Sequence, residues 1–284
     1  MNRRYAFLFA PICACSVLGA SVFSSGCSSS NDNSPSASDA GSDVPPITIR
    51  EPTPWSPAML RPAFWLDGDN VILVDGAISQ WSDTSGNNNH ATQTTVSLRP
   101  GVVTINGRRA VSFNGETRMI IADSASLTWG TDDFAVFVAL RYTDINHPQK
   151  VAGVIYAKNA SNSPFPGVQL FATGLPSQFW AGTDADTRIK STKSGAVGYA
   201  DGQMHIAVLR RSGTSLELRV DGAVVGSLVN TKDVNTSGFN ALIGGAPDVE
   251  FLKGDIALLL GIHGTVTDAQ EIQVETYMRN RYGF

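Results

Sequence analysis

Short apolar runs alternate with turn residues along most of the chain after residue 55. This spacing is typical of an antiparallel sandwich or barrel. The clearest unit is residues 215–229 (SLELRVDGAVVGSLV), where Leu or Val at every second position leads into Asp221-Gly222. Period-two alternation on both sides of Asp-Gly predicts a β-hairpin.

Seven further segments show the same short apolar pattern and are predicted as strands. They are residues 109–113, 134–142, 168–172, 177–181, 205–211, 241–244 and 255–262. In the last of these, apolar residues occupy both alternating positions, so we expect that strand to be covered on both faces.

One helix is predicted, and it comes last. Thr267 and Gln270 have the spacing of a capping box, apolar residues follow at helical intervals, and Gly283 can end the helix. We expect it to pack across one sheet edge or end.

The composition agrees with a strand-rich fold. Of 284 residues, 42% are apolar and 16% are charged, and the chain contains 27 Gly and 14 Pro. Long helices normally bring more Lys and Glu, and so many Gly and Pro favour many turns.

The N-terminus has the pattern of a signal peptide over residues 1–26. Arg3 and Arg4 precede an apolar run, and small residues then lead to Cys27. A transmembrane anchor is the alternative, but Pro11 and several small residues make this run a poor bilayer span.

Residues 24–27 (SSGC) resemble a bacterial lipobox, in which the cysteine becomes the lipid-bearing first residue. The sequence departs from that motif at Ser24, where Leu is usual. A competing site at Cys15 would leave only residues 5–11 as the apolar region, which is too short. We therefore predict lipid attachment at Cys27 and export to the cell envelope, with the outer membrane as the expected location and secretion as the alternative.

Residues 27–54 are predicted to be a disordered tether. Residues 28–46 contain Ser, Asp, Asn and Pro with Val44 as the one aliphatic side chain, which is too little apolar surface to offset chain entropy. A coil of this length spans roughly 25 Å on average. The folded domain is expected over residues 55–284.

Cysteine and charge exclude several classes of function. All three cysteines lie at or before residue 27, so the folded part has no disulfide framework, thiol nucleophile or Cys-ligated metal site. Removing residues 1–26 takes the formal net charge from −4 to −6. A negative chain does not favour nucleic acid as a partner, and the expected membrane association is through the lipid anchor alone.

Several segments together resemble the laminin G-like (LamG) domains of the concanavalin A-like superfamily. They are residues 64–69 (FWLDGD), 78–93 (ISQWSDTSGNNNHATQ), 108–121 (RRAVSFNGETRMII), 205–227 and the closing stretch 243–284. The resemblance covers most of residues 60–284. It implies a two-sheet antiparallel jelly-roll β-sandwich with a short C-terminal helix. Leu258 stands where the family often has Glu.

Glycoside hydrolysis is the main catalytic alternative. Relatives of this fold carry paired acids as Glu-x-Asp-x-x-Glu, and no such run occurs here. The nearest pair is Glu217 and Asp221, but Asp221 sits in the predicted hairpin turn, where a structural role is favoured.

Calcium is the one cofactor that the sequence suggests, because loops rich in Asp and Asn supply the oxygen ligands that it prefers. Candidate ligands are Asp67, Asp69, Asp83, Asn87 to Asn89, and Asp184 with Asp186. All are also ordinary turn residues that bond their own backbone.

Aromatic side chains could form a platform for a sugar, since its CH groups stack on flat rings. Trp180 is the best candidate, with Phe179 beside it. Neighbours on a strand point to opposite faces, so one of the two is expected outside.

These features predict a noncatalytic recognition or adhesion module on the bacterial surface that binds a glycan or a protein. A polysaccharide hydrolase and a structural envelope protein are the alternatives.

Overall fold

The computed structural model describes residues 54–145, 153–173, 179–191, 198–246 and 250–284. The predicted signal peptide, Cys27 and all but the last residue of the predicted tether lie outside this part of the chain. Within it, no helix has both the length and the apolar character needed to cross a bilayer.

Sixteen strands and one α-helix form in the described residues. The strands are β1 (Phe64–Val74), β2 (Ala77–Asp83), β3 (Ala91–Thr92), β4 (Gly101–Ile105), β5 (Arg108–Asn114), β6 (Met119–Ile121), β7 (Phe134–Ile145), β8 (Gly153–Asn159), β9 (Gly167–Ala172), β10 (Phe179–Gly182), β11 (Arg188–Lys190), β12 (His205–Ser212), β13 (Ser215–Val220), β14 (Ala223–Val229), β15 (Ala241–Ile243) and β16 (Leu252–His263). The helix is α1 (Asp268–Tyr282), and 3-10 turns cover Pro57–Leu60, Val96–Leu98 and Ala125–Leu127.

The strands form one continuous antiparallel path in the order β11-β10-β9-β8-β15-β6-β3-β2-β1-β16-β7-β12-β13-β14, with β4 and β5 attached beside β16. This path curls until its ends meet. A side chain at Gly226 on β14 would collide with Ile189 on β11. Beyond these strands, Asn230 Nδ2 donates to Thr183 Oγ1 at 2.5 Å. The chain is therefore all-β with one C-terminal helix, as the alternation predicted.

The main core fills the inside of the curled sheet. Trp81, Trp129, Phe64 and Phe179 are fully buried there. Phe64 stacks on Tyr156 with ring centroids 5.2 Å apart. Burial of this apolar surface is the main source of stability for a domain without disulfides.

Helix α1 covers the outer face of β7, β12 and β16. Val274, Met278 and Tyr282 are buried there against apolar side chains of those strands. The expectation that the helix crosses a sheet edge or end is therefore wrong. The strands beneath α1 carry apolar residues on both faces, and the helix shields their outward apolar side chains from water.

The hairpin and the helix cap are confirmed. Asp221 and Gly222 both have positive φ, 52° and 83°, as a type I′ turn requires. Thr267 Oγ1 accepts from the backbone N–H of Gln270, whose side chain in turn accepts from the N–H of Thr267.

Candidate functional site

The outward side of β6, β8, β9, β10, β11 and β15 is not covered by α1. We call this surface the open face. Its apolar part consists of Val154, Ala157 and Phe171, with Trp180 and Leu242 packed against them. These residues are far apart in sequence and meet only because their strands are neighbours.

Strand alternation separates the two aromatic residues that the sequence singled out. Trp180 lies on the open face and is partly exposed. Phe179 is fully buried and packs against Tyr142 and Tyr199, with ring centroids 5.8 and 5.2 Å away. The prediction of Phe179 as a ligand-binding residue is therefore wrong, because its ring belongs to the core.

The ring of Trp180 is partly covered by two cationic side chains. Lys190, its cross-strand partner, places Nζ 4.7 Å from the centroid of the Trp180 ring. The Arg188 guanidinium lies 5.8 Å from the same ring. Both contacts are cation–π interactions, so a ligand reaches this ring only where the exposed Lys190 side chain moves away.

A pocket of about 510 Å³ opens on this face beside Phe171. Its apolar lining consists of Val154, Ala157, Phe165, Phe171, Phe239, Leu242 and Ala246. Its polar lining consists of Asn159, Ser161, Gln169, Arg188, Asn240 and Glu250. Such a mixture of apolar walls and a few polar groups is typical of small-molecule sites.

Arg188 forms one wall of the pocket. Gly182 lies between Arg188 and Gln169 and is the cross-strand partner of both. Because Gly182 has no side chain, the Arg188 side chain can pass over it towards Gln169. Its Nη2 donates to Gln169 Oε1 at 2.9 Å, and its guanidinium lies 5.1 Å from the Phe171 ring centroid. Burial lowers the pKa of Arg188, although the charge of Glu250 opposes that effect.

Phe165 supplies an accessible aromatic ring at the pocket rim. Its side chain is 40% exposed and its φ is +58°, a left-handed conformation that is rare for an aromatic residue. Gln169 Nε2 donates to its carbonyl at 2.5 Å and helps to hold this geometry. Glu250, also at the pocket, has the same φ of +58°. Strained backbone of this kind concentrates at functional sites.

The four principal calcium candidates form hydrogen bonds within the fold. Asp83 accepts from the backbone N–H groups of Trp65, Ser85 and Asn89 at 2.8–2.9 Å, which fixes the turn after β2. Asn87 Nδ2 donates to the carbonyls of two residues before β1.

Asp67 and Asp69 bind the end of α1. Asp67 is buried, pairs with Arg281 and accepts from the Tyr282 hydroxyl at 3.1 Å. Asp69 pairs with Arg281 at 3.0 Å and with Arg108 at 2.8 Å. Each carboxylate oxygen of Asp69 and Asp83 therefore already has a protein donor. Asp67 Oδ1 also has donors, and Asp67 Oδ2 forms an ion pair with Arg281 without a hydrogen bond.

Of the remaining candidate pair, Asp184 has partners within the fold. Asp184 accepts from Lys232 and from the Thr187 hydroxyl, while Asp186 is exposed. No group of three His, Cys, Asp or Glu side chains in the described part of the chain is placed to hold a metal ion. Calcium binding stays a prediction.

The pair Glu217 and Asp221 has structural partners. Glu217 pairs with Arg210 at 3.1 Å. Asp221 accepts from the Ile206 N–H at 3.0 Å and contacts His205 Nδ1 at 2.7 Å. The two acids therefore serve neighbouring strands, in agreement with the structural role expected for Asp221.

Sequence reasoning missed Phe165, Arg188 and most of the pocket lining. A usable pattern was present in the predicted strand 168–172, where Gln169 and Phe171 alternate with three core residues and so share the outward face. Phe165 and Arg188 carry no such pattern, because one lies in a loop and the other in a three-residue strand.

No protein-family model matches the chain, and no curated protein matches it in sequence. Solved structures do match. The binding domain of Paraclostridial Mosquitocidal Protein 1 has a TM-score of 0.56 at 13% identity, covering 77% of this chain and 53% of that one. An arabinofuranosidase complexed with arabinofuranosyl-α-1,2-xylobiose has a TM-score of 0.55 at 14% identity, covering 72% and 51%.

Domain 4 of AbnA, a GH43 extracellular arabinanase from Geobacillus stearothermophilus, in complex with arabinotriose, has a TM-score of 0.52 at 16% identity. That match covers 75% of this chain and 97% of the domain. The chain spans about half the length of the first two structures. At these identities the likeness establishes the fold alone.

Proposed function

We propose that this chain is a noncatalytic carbohydrate-recognition module displayed at the bacterial cell surface, and that the pocket on the open face holds the sugar. The observation that carries the proposal is the pocket itself, in which an exposed aromatic ring and apolar walls stand beside amide and guanidinium groups.

The chemistry of a sugar suits this lining. Its CH-rich face packs on Phe165 and beside Leu242, while its hydroxyls bond to the Asn159 and Asn240 amides and to the Ser161 hydroxyl. A volume of about 510 Å³ lies within the usual range for ligand pockets. Gln169 is buried and holds Arg188 in place.

Two of the similar structures contain arabinose-based oligosaccharides, and a third is a binding domain. They support a carbohydrate ligand by fold analogy alone, because identity is 16% or less. The ligand of this chain need not contain arabinose.

The noncatalytic part of the proposal rests on the acids at the pocket. Glycoside hydrolases of the common type use two carboxyl groups across the scissile bond. Among the described lining residues, Glu250 is the one carboxylate. A polysaccharide hydrolase is therefore less well supported than a binding module.

The proposal extends to architecture and location. We infer a LamG-like, two-sheet jelly-roll sandwich over residues 55–284, carried on the tether 27–54 and anchored by lipid at Cys27. The motifs at residues 64–93 and 243–284 and the signal-like N-terminus support it. The intact mass of protein from a bacterial envelope tests the anchor: a mature chain starting at Cys27 with added acyl mass is expected, and an unmodified chain would contradict it.

Two variants test the pocket. We expect Phe165→Ala to weaken binding of glycan-array hits about tenfold, because it removes a stacking surface. Ala157→Leu fills the pocket from its floor and should abolish binding. Ile272→Ala and Ala223→Leu make matched changes at exposed positions on α1 and β14 and should bind like the wild type.

The outcomes separate the alternatives. Unchanged affinity in both pocket variants would place the ligand elsewhere. Turnover of a bound glycan would favour the hydrolase. A full chain that binds no glycan at all would favour a structural envelope protein.

A further inference from the structure

Three cations on the open face lack a carboxylate partner in the described part of the chain. Arg188 has a buried Nε with no hydrogen-bond partner. Arg118 has two buried nitrogens, Nε and Nη1, that also lack a hydrogen-bond partner. Lys190 is exposed and rests on the Trp180 ring. Buried guanidinium nitrogens are normally satisfied, so these positions call for an explanation.

Arg118 and Lys190 stand at opposite ends of one row across the strands. Lys190 pairs with Trp180, which pairs with Phe171, which pairs with Val154. The row then continues through Gly244, whose N–H donates to the Val154 carbonyl at 3.0 Å. The next position is Arg118, immediately before β6, because Met119, the first residue of β6, pairs with Ile243.

The length of this row constrains the ligand. Five strand intervals separate β11 from β6, and neighbouring strands lie about 4.8 Å apart, so the row spans roughly 24 Å. Arg188 lies one row away, in the wall of the pocket. An elongated molecule lying across the strands can reach all three cations, whereas a single sugar cannot.

Arginines beneath and beside α1 are paired, in contrast to those of the open face. Arg210 pairs with Glu217, Asp268 and Glu271 at 3.1, 2.6 and 3.1 Å. Arg281 pairs with two aspartates of β1, Asp67 and Asp69. Arg210 and Arg281 also each have a buried Nε without a hydrogen-bond partner, so the difference from Arg188 and Arg118 is that their guanidinium groups have carboxylates within ion-pair distance.

The negative charges of three acids act on Arg188, but none of these acids forms an ion pair with it in the described part of the chain. Asp184 is neutralised by Lys232. Asp186 is exposed to solvent, which screens its charge. Glu250 lines the same pocket and its charge acts on Arg188, but no ion pair joins the two side chains in the described part of the chain. Arg118 has no described acid paired with it, so the end of the row beside β6 remains cationic.

We propose that the open face binds a linear acidic polysaccharide, a chain that carries uronate carboxylates, laid across strands β6 to β11. Arg188 binds a carboxylate at the pocket, and Arg118 and Lys190 bind carboxylates further along the chain. Guanidinium groups suit this task, because their planar N–H donors match the geometry of a carboxylate. The inference rests on the proposed function and specifies its ligand.

Calorimetric titration of the full chain tests this directly. The probes are oligosaccharides of polygalacturonate, alginate and hyaluronan, each compared with its own carboxyl-reduced form. At least one acidic probe should bind about tenfold more tightly than its reduced form, since a hydrogen bond to a charged group contributes about that much. Affinity should also rise with oligomer length until the row is filled.

Arg188→Gln and Arg118→Gln should each weaken the acidic probe about tenfold more than they weaken its carboxyl-reduced form. Arg61→Gln is the matched control, since Arg61 is exposed and lies before β1, away from the open face. Using two variants keeps the test valid if one of them fails to fold, as judged by its melting curve.

The results distinguish the two proposals. Equal binding of acidic and reduced forms, with both variants unaffected, would overturn the acidic ligand and leave carbohydrate recognition standing. Binding of neither form in any pair would overturn both.

Discussion

A single carboxylate, Asp83, organises the turn that leads from β2 to β3. It accepts hydrogen bonds from three backbone N–H groups, and its Oδ2 also accepts from the Ser85 hydroxyl at 2.7 Å. The sequence suggests Asp83 as a calcium ligand, but in the structure its carboxylate fixes the turn by accepting these hydrogen bonds. Both functions use the same short, oxygen-bearing side chain, which is why sequence alone leaves them open.

Asp83→Ala should lower the free energy of unfolding by about 3 kcal/mol, because it leaves buried donors without an acceptor. Urea denaturation measures this. Glu116→Ala, which removes an exposed acid, is the control and should stay within about 0.5 kcal/mol of the wild type. Equal stability of the two variants would contradict the assigned role. A melting temperature that rises with calcium in the wild type alone would instead support metal binding.

His205 is 5% exposed and lies between two acids, 2.7 Å from Asp221 and 3.1 Å from Asp201. Burial disfavours its charge, but the hydrogen bonds and charges of both acids outweigh burial and raise its pKa. The resulting stabilisation is fully present below the pKa of an unfolded His, about 6.5. It is lost as pH rises through the higher pKa of the folded state.

Wild-type protein should therefore lose more stability than His205→Gln between pH 5.5 and pH 8.5. The pKa of Asp221 is lowered, so that acid stays ionised across this range and does not obscure the comparison. Chemical denaturation at several pH values measures the two slopes. Parallel curves for the two proteins would exclude a charged imidazole at this position.

Among the elements, α1 depends on its N-cap. The Thr267 hydroxyl accepts from the backbone of Gln270, and the Gln270 side chain completes the capping box. Thr267→Ala should destabilise the protein by about 1 kcal/mol. Thr276→Ala makes the same chemical change on the exposed face of α1 and should be neutral or slightly stabilising, since Ala is the better helix former. A loss of equal size in both variants would point to side-chain contacts rather than capping.

The regular elements could be predicted where local pattern and tertiary burial agree. The hairpin of β13 and β14, strand β16 and helix α1 all meet that condition. In β16, the expected coverage on both faces is confirmed, because core residues line one side and α1 lies on the other.

Other strands break the expected patterns. β1 contains Asp-Gly-Asp-Asn, which reads as a turn, but the strand continues through an irregular register between Leu66 and Val71. β8 contains Lys158, a residue expected at the surface, yet this side chain is fully buried. It pairs with Asp123 at 2.5 Å and donates to two carbonyls. The partners that compensate for burying this charge come from residues distant in sequence, so the sequence around Lys158 does not indicate its burial.

At the scale of the molecule, the curled sheet has two different outer surfaces. One is covered by α1, and the other carries the pocket and the three cations of the open face. The sequence directed attention to Trp180, which does lie on the open face. It could not show the pocket, because Val154, Phe171 and Leu242 become neighbours only through the order of β8, β9 and β15.

Binding of an oligosaccharide to the open face can be located residue by residue. Backbone amide chemical shifts, followed by NMR while the tightest-binding probe of the panel is added, show which residues the ligand contacts. We expect the amide signals around Asn159, Phe165 and Asn240 to move, with further changes towards Arg118. Amides of the turn at residues 84–89 should stay fixed. Shifts confined to that turn or to α1, with the open face unchanged, would contradict the account.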